Sequence, residues 1–289
     1  MTGTGSKNPD GCASKELPGG ATYLAIHYTA DPGKRYTPDE LREKRRAMGV
    51  REWDREMEMR EDVYDGQPVY DDYVDAIHCP KILRENSIPL SANAMYYGGW
   101  DAGQTLSPAF VLLQVTERPW QVHALLEVVS VGQQPMERFA QVVLQRLMKW
   151  HPGLWDQVKH FGDATIVTRS GSDGQSARDV AKRHGISIVP MSNQWAGRVS
   201  AVTWLLTRRL DEDMPGFWVS GKDCPVLRDG FLGGYQTTAS PSGESSGPGM
   251  VLRAPLKNAF SHVHDALQYA AIQIRKDIEK QPQAVLTRR

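Results

Sequence analysis

Hydrophobic and polar positions along this chain fall into blocks that alternate between a two-residue period and a helical one. Residues 1–20 show neither and read as a loose, flexible lead-in of Gly, Ser, Asn and Lys. Residues 22–28 (Thr-Tyr-Leu-Ala-Ile-His-Tyr) suit a strand, ended by the turn signal Asp31-Pro32-Gly33. Thr37-Pro38-Asp39-Glu40 opens a helix to Met48, with a capping residue, a proline and acids in its first turn. Trp53 and Met57 keep helical spacing within 51–60, and Gln67-Pro-Val-Tyr70 reads as a short strand. Residues 72–94, with Pro80 and Pro89, read as a connector.

The middle of the chain is more regular. Residues 95–101 (Met-Tyr-Tyr-Gly-Gly-Trp-Asp), 109–116 and 121–130 are three apolar strands on short turns, which predicts an antiparallel meander. Residues 136–150 carry Phe139, Val143 and Leu147 along one helical face, and Pro152-Gly153 stops that helix. A strand over 158–163, a helix over 176–184 closed by Gly185, a short strand over 186–190 and an amphipathic helix over 195–210 follow. Such alternation requires parallel pairing, so the predicted sheet is mixed and the class α/β. Residues 217–219 read as an edge strand, 225–232 as a short helix and 260–279 as a long last helix with Leu267, Ala270 and Ile274 inward. Residues 237–249, rich in Ser, Gly and Thr, read as a mobile, solvated loop or hairpin tip, or else a lid or DNA-facing flap before that helix.

Composition narrows the function without choosing it. Lys plus Arg and Asp plus Glu are both 34, so any nucleic-acid face must be a local patch offset by acids elsewhere. The three cysteines, Cys12, Cys79 and Cys224, lie far apart with no Cys-x-x-Cys, which fits a reducing compartment and excludes a disulfide framework. His78-Cys79 has no second ligand pair at zinc-finger spacing. No apolar run reaches membrane-spanning length, and the amino terminus has no signal-peptide pattern; a cytosolic protein without a membrane partner is expected.

Three acids stand at informative places. Asp101 ends the first strand of the meander, Asp163 ends the strand after the first long helix, and Asp265 lies in the first turns of the last helix. Alone, Asp101-Ala-Gly also suits a hairpin turn. Carboxylates at the ends of neighbouring strands, about 4.8 Å apart, can meet over one point, and a helix crossing that end can add a third. Their mutual repulsion is relieved by a hard cation, and Mg²⁺ or Mn²⁺ with oxygen ligands is the expected occupant. Two such ions about 4 Å apart serve in-line phosphodiester displacement.

The ordered set Tyr97-Gly-Gly-Trp-Asp101-Ala-Gly, Gly162-Asp163 with Arg169-Ser-Gly-Ser-Asp173, and Lys257-Asn-Ala-Phe-Ser-His-Val-His-Asp265-Ala-Leu-Gln-Tyr269 resembles the ribonuclease H-like fold. More narrowly, it resembles the nuclease domain of the large terminase subunit of tailed bacteriophages. Ile26-His-Tyr-Thr-Ala-Asp-Pro32, Trp53-Asp-Arg-Glu-Met57 and Gly66-Gln-Pro-Val-Tyr70 resemble the passage between that family's motor and nuclease domains. The resemblance implies a linker region over 21–90, a nuclease domain over 91–280 and a tail over 281–289. It implies that Asp101, Asp163 and Asp265 form the metal-binding catalytic triad of a Mg²⁺- or Mn²⁺-dependent endonuclease. The implied substrate is concatemeric double-stranded DNA in the cytoplasm of an infected bacterium. The implied partners are a packaging ATPase domain, a small terminase subunit and a portal.

One departure stands out. The family's phosphate-binding loop, Gly-x-x-x-x-Gly-Lys-Ser/Thr, is missing: Gly216-Phe-Trp-Val-Ser-Gly221-Lys222-Asp223 lacks the hydroxyl residue, so no ATP hydrolysis is expected. The chain then represents the nuclease half. Supporting residues are less determined. His262 or His264 can orient Asp265 or a phosphate, or serve capping and packing. Asp173 can approach a second metal or make a turn. Arg169, Arg198, Lys222, Arg228 and Lys257 can meet phosphates or remain solvated. Glu127, alternating with Leu126 and Val128, is expected to face solvent or pair with a base. Two rivals remain open: another nuclease of this fold, such as a resolvase, and a non-catalytic module docking DNA or portal.

Overall fold

The computed structural model describes residues 12–16, 22–26, 37, 40, 67–102, 107–117, 119–130, 132–168, 175–211, 214–239 and 253–281. Arg169 and Asp173 lie outside them, as do Trp53, Met57 and residues 240–252. The chain divides into two compact units, Met1–Asp65 and Gly66–Arg289. In the first, β1 (Cys12–Glu16) pairs antiparallel with β2 (Thr22–Ile26), Cys12 opposite Ile26. Residues 12–16, read from the sequence as lead-in, are therefore a strand. The helix start expected at Thr37 has its reciprocal cap: Thr37 N–H donates to Glu40 Oε2 at 2.7 Å and Glu40 N–H to Thr37 Oγ1 at 3.3 Å.

The second unit begins well before residue 91. It takes in β3 (Gln67–Pro68), α1 (Asp75–His78) and α2 (Lys81–Glu85). Tyr70 and Tyr73 are buried against Phe231, with ring centroids 5.3 and 4.7 Å away, so this stretch belongs to the core of the second unit. The main sheet contains β4 (Met95–Asp101), β5 (Ala109–Val115), β6 (Val122–Val129), β7 (Val158–Asp163), β8 (Ile188–Met191) and β9 (Phe217–Val219). Its order is β8-β7-β4-β5-β6-β9. The meander β4-β5-β6 is antiparallel; β7 is parallel to β4, β8 to β7 and β9 to β6. β5 is buried at all seven positions, as a central strand covered on both faces must be.

Strand parity decides what each face carries. Tyr96, Trp100, Phe110 and Leu112 point to a layer made by α3 (Met136–Trp150) and α4 (Ala177–Arg183). Tyr97, Val111, Leu113 and Phe161 point to the other layer, α5 (Trp195–Thr207), α6 (Pro225–Asp229) and α7 (Ala259–Glu279). A small second sheet of β11 (Arg253–Pro255), β10 (Gln236–Ala239) and β3 completes the unit. Residues 237–239, expected in a loop, are thus paired.

The glycine pair in β4 explains how α7 comes so close. A Cβ on Gly99 would stand 2.0 Å from the Ala266 carbonyl oxygen, and one on Gly98 would stand 2.5 Å from His160 Nδ1 on the opposite face. Neither residue could carry a side chain without moving its neighbours. Trp100, two residues beyond Gly98, is fully buried and donates from Nε1 to His160 Nδ1 at 3.0 Å.

Candidate functional site

Asp101 and Asp163 reach the same place through strand register. β4 and β7 run parallel with Trp100 opposite Gly162, so the next residue on each is an aspartate. Parity puts both on the α7 face: Asp101 is two residues past Gly99, and Asp163 is two past Phe161, a member of that face's core. Adjacent strand ends bring their backbones within about 5 Å. α7 then crosses this end. His262 Nδ1–H donates to Asp101 Oδ2 at 2.7 Å, and Asp265 follows one helical turn later. The helix starts there because Asn258 caps it, accepting from the N–H groups of Phe260 and Ser261, while the Ser261 hydroxyl reciprocates.

Each carboxylate is already engaged. Asp265, 3 % exposed, takes Arg198 Nη1 on Oδ1 at 2.8 Å and Lys257 Nζ on Oδ2 at 2.7 Å. Arg198 is itself buried and its guanidinium lies 4.9 Å from the Tyr269 ring centroid. Asp163 turns back on its own chain, accepting from Thr165 N–H at 2.9 Å and Thr165 Oγ1 at 2.6 Å. Asp101 accepts from His262. With the side chains so turned, no three His, Cys, Asp or Glu residues among the described ones are gathered as a metal-ligand set. Asp265 is neutralised by two cations, Asp163 caps the turn after β7 and Asp101 takes the imidazole of His262. The donor chemistry suits a hard cation, being all oxygen with no thiol.

Tyr269 reports on all three acids. It lies one further turn along α7 from Asp265, and burial raises its hydroxyl well above the ordinary tyrosine range. Arg198 opposes that shift, while the charges of Asp163, Asp265 and Asp101 add to it. The partner of that hydroxyl is Asn193, just past β8, whose Oδ1 also accepts from Ala164 N–H at 3.3 Å. Nothing in the sequence marks Asn193 beyond its being a polar residue after a strand end. Tyr269 stood in the last motif without a role.

The other expected residues separate clearly. His264 is fully buried, stacks on Tyr235 at 4.8 Å and donates from Nε2 to the Leu227 carbonyl; burial pushes its imidazole down to about 3, so it stays neutral. Its role is packing, and Gly230 leaves room for it, since a Cβ there would lie 2.1 Å from Nε2. Arg228, expected at DNA, is instead gripped by Asp75 through Nε and Nη2 at 2.9 and 2.8 Å. Lys222 is exposed in the turn after β9. Glu127 neither faces solvent nor meets a base: its carboxylate accepts from the N–H groups of Val226 and Leu227 at 2.7 and 2.8 Å, capping α6.

No protein-family model matches the chain. No curated protein matches it either. Among solved structures it is similar to the large terminase from a thermophilic bacteriophage, with 15% identity over 86% of this chain and a TM-score of 0.52. The fold is ribonuclease H-like. The ribonuclease H-like chain spans 55% of that terminase, a little over half its length. It also aligns with the P22 large terminase nuclease domain at 13% identity, covering 74% of this chain and 97% of that one with a TM-score of 0.49. For the nuclease domain of g2p, the large terminase of bacteriophage SPP1, solved with bound Mn, the values are 17%, 63%, 86% and 0.42. At these identities the likeness is one of fold. Among the described residues no helix is long and apolar enough to cross a membrane.

Proposed function

We propose that this chain is a DNA endonuclease dependent on Mg²⁺ or Mn²⁺, with Asp101, Asp163 and Asp265 as the ligands of two ions. The observation that supports the reading is register and parity: Asp101 and Asp163 end adjacent parallel strands on the face that α7 covers, and His262, one turn before Asp265 on α7, hydrogen-bonds Asp101. Likeness of fold to a phage large terminase adds the substrate class, concatemeric double-stranded viral DNA cut during genome packaging in the host cytoplasm. The ATPase domain, the small subunit and the portal are its proposed partners.

When bound, such ions activate a water for in-line attack on phosphorus and stabilise the departing oxygen. The protein's own groups prepare that chemistry. His262 fixes one Asp101 oxygen, and Arg198, buried and stacked on Tyr269, fixes one oxygen of Asp265. Lys257 sits on the other Asp265 oxygen from a side chain that is 62% exposed, so it can move away as a cation arrives. Tyr269 keeps its proton and orients toward Asn193.

The test is a titration of Mn²⁺ against supercoiled plasmid with the 289-residue chain. Wild type is expected to nick and then linearise. Asp101→Asn and Asp163→Asn are expected to lose about 100-fold or more, since losing even outer-shell partners of metal ligands costs about 10- to 100-fold. Full cleavage by both variants refutes the assignment, and duplex binding without cleavage in wild type favours the docking-module reading.

A further inference from the structure

A chain with equal numbers of acids and bases must separate them in space if it grips a polyanion. α3 and α4, the layer opposite α7, are where that separation occurs. Arg138, Arg146 and Lys149 of α3 and Arg178 and Lys182 of α4 are all exposed. None of these five has an acidic partner among the described residues. The two helices carry only two acids, and both are consumed locally. Glu137 binds Arg183 Nη2 and His184 Nε2, each at 2.6 Å, and Asp179 closes the capping box with Ser176.

The outer stripe of α3 runs Arg138, Gln141, Gln145, Lys149, at spacings that stay on one side of a helix over about 16 Å. Every polar group on that stripe is a cation or an amide with N–H donors. Both helices begin at the end of the sheet that carries Asp101 and Asp163. α3 follows β6, whose Val129 pairs with Ala109, itself opposite Asp101, and α4 follows the segment after Asp163.

We infer that the outer face of α3 and α4 is a phosphate-backbone track for double-stranded DNA, leading to the carboxylate end. Its role in cleavage rests on the proposed nuclease reading; the binding itself does not. Side chains of this kind fix position on a duplex without reading bases, so the contact is independent of sequence. The amides between the cations suit phosphate oxygens, which only accept hydrogen bonds.

The experiment measures affinity for a labelled 30-base-pair duplex of mixed sequence across a salt series, without divalent metal, in the Asp101→Asn background. The quadruple variant Arg138→Gln, Lys149→Gln, Arg178→Gln, Lys182→Gln is compared with its parent and with Lys81→Gln, a control on an exposed lysine outside this face. Losing each phosphate contact lowers the slope of log affinity against log salt by about 1. The parent is expected to bind with a steep slope. The quadruple variant should flatten it by about 3 to 4 and weaken binding at least about 100-fold at 0.1 M salt, with unfolding midpoints unchanged. Equal slopes in variant and parent overturn the track, as does a parent that binds anionic vesicles containing phosphatidylserine but no duplex. Absence of plasmid cleavage by the wild-type chain in Mn²⁺, with duplex binding intact, sinks the nuclease reading and leaves the track. Intact cleavage with equal slopes does the reverse.

Discussion

Among single residues, Lys257 and Arg198 divide the labour on Asp265. Arg198 is enclosed and held by Tyr269, whereas Lys257 reaches the carboxylate from solvent. On the proposed metal reading, Lys257 is a counter-ion that an arriving divalent cation displaces. Lys257→Met is expected to bind Mn²⁺ about fivefold more tightly than wild type by calorimetry, the scale of one exposed ion pair. Unchanged or weaker binding would show that Lys257 does not compete. The positions of Asp101 and Asp163 at strand ends and of Asp265 in the first turns of the last helix were legible in the sequence. The pairing of Arg198 with Asp265 was not, because the two lie on different helices and no local pattern couples them.

Among the helices and strands, the site depends on how closely α7 lies on β4. Gly99→Ala would push a methyl group into the Ala266 carbonyl and lift the first turns of α7 away from Asp101. Overpacking of this kind costs about 1–3 kcal/mol. The expected outcome is a lower unfolding midpoint together with a loss of plasmid cleavage. A variant that is as stable and as active as wild type would mean that this contact does not set the position of α7. α6 offers a test by pH. Burial, the largest cause, pushes the Glu127 carboxyl from 4.5 up to about 7, against the two N–H groups it caps. The folded state therefore binds more protons than the unfolded one between those values. The contribution of Glu127 is full below about pH 4.5 and is lost as pH rises through about 7. The urea midpoint of Glu127→Gln should accordingly gain on wild type as pH rises across that window. A difference that stays constant with pH would contradict it. The sequence pattern located the helices and strands well where the period was sustained, as over 136–150 and 158–163, which match α3 and β7. It failed at 12–16, a short polar strand paired with 22–26, and it put 237–239 in a loop or hairpin tip where they form a strand paired with 253–255.

Across the chain as a whole, zero net charge conceals an arrangement. Asp101 and Asp163 end adjacent strands beneath α7, which carries Asp265, while five exposed cations with no acidic partner among the described residues line the opposite helical layer. The mixed α/β class was readable from the change of period at residue 158, since parallel strands need the crossovers that helices supply. The order of the strands was not readable from period alone. The edge place expected for residues 217–219 is where β9 lies. The basic face escaped the sequence reading because its five cations are spread over α3 and α4, which are separated in the chain by β7, and only the fold sets them side by side.

The nuclease reading requires that three acids distant in the chain form one cation site. Crystals soaked in Mn²⁺ and measured for anomalous scattering decide whether they do. Peaks are expected with carboxylate oxygens of Asp101, Asp163 and Asp265 at about 2.1 Å, and with Lys257 withdrawn from Asp265. Peaks bound by other residues, or Asp163 still turned to Thr165 while Mn²⁺ is held without it, would contradict the shared site.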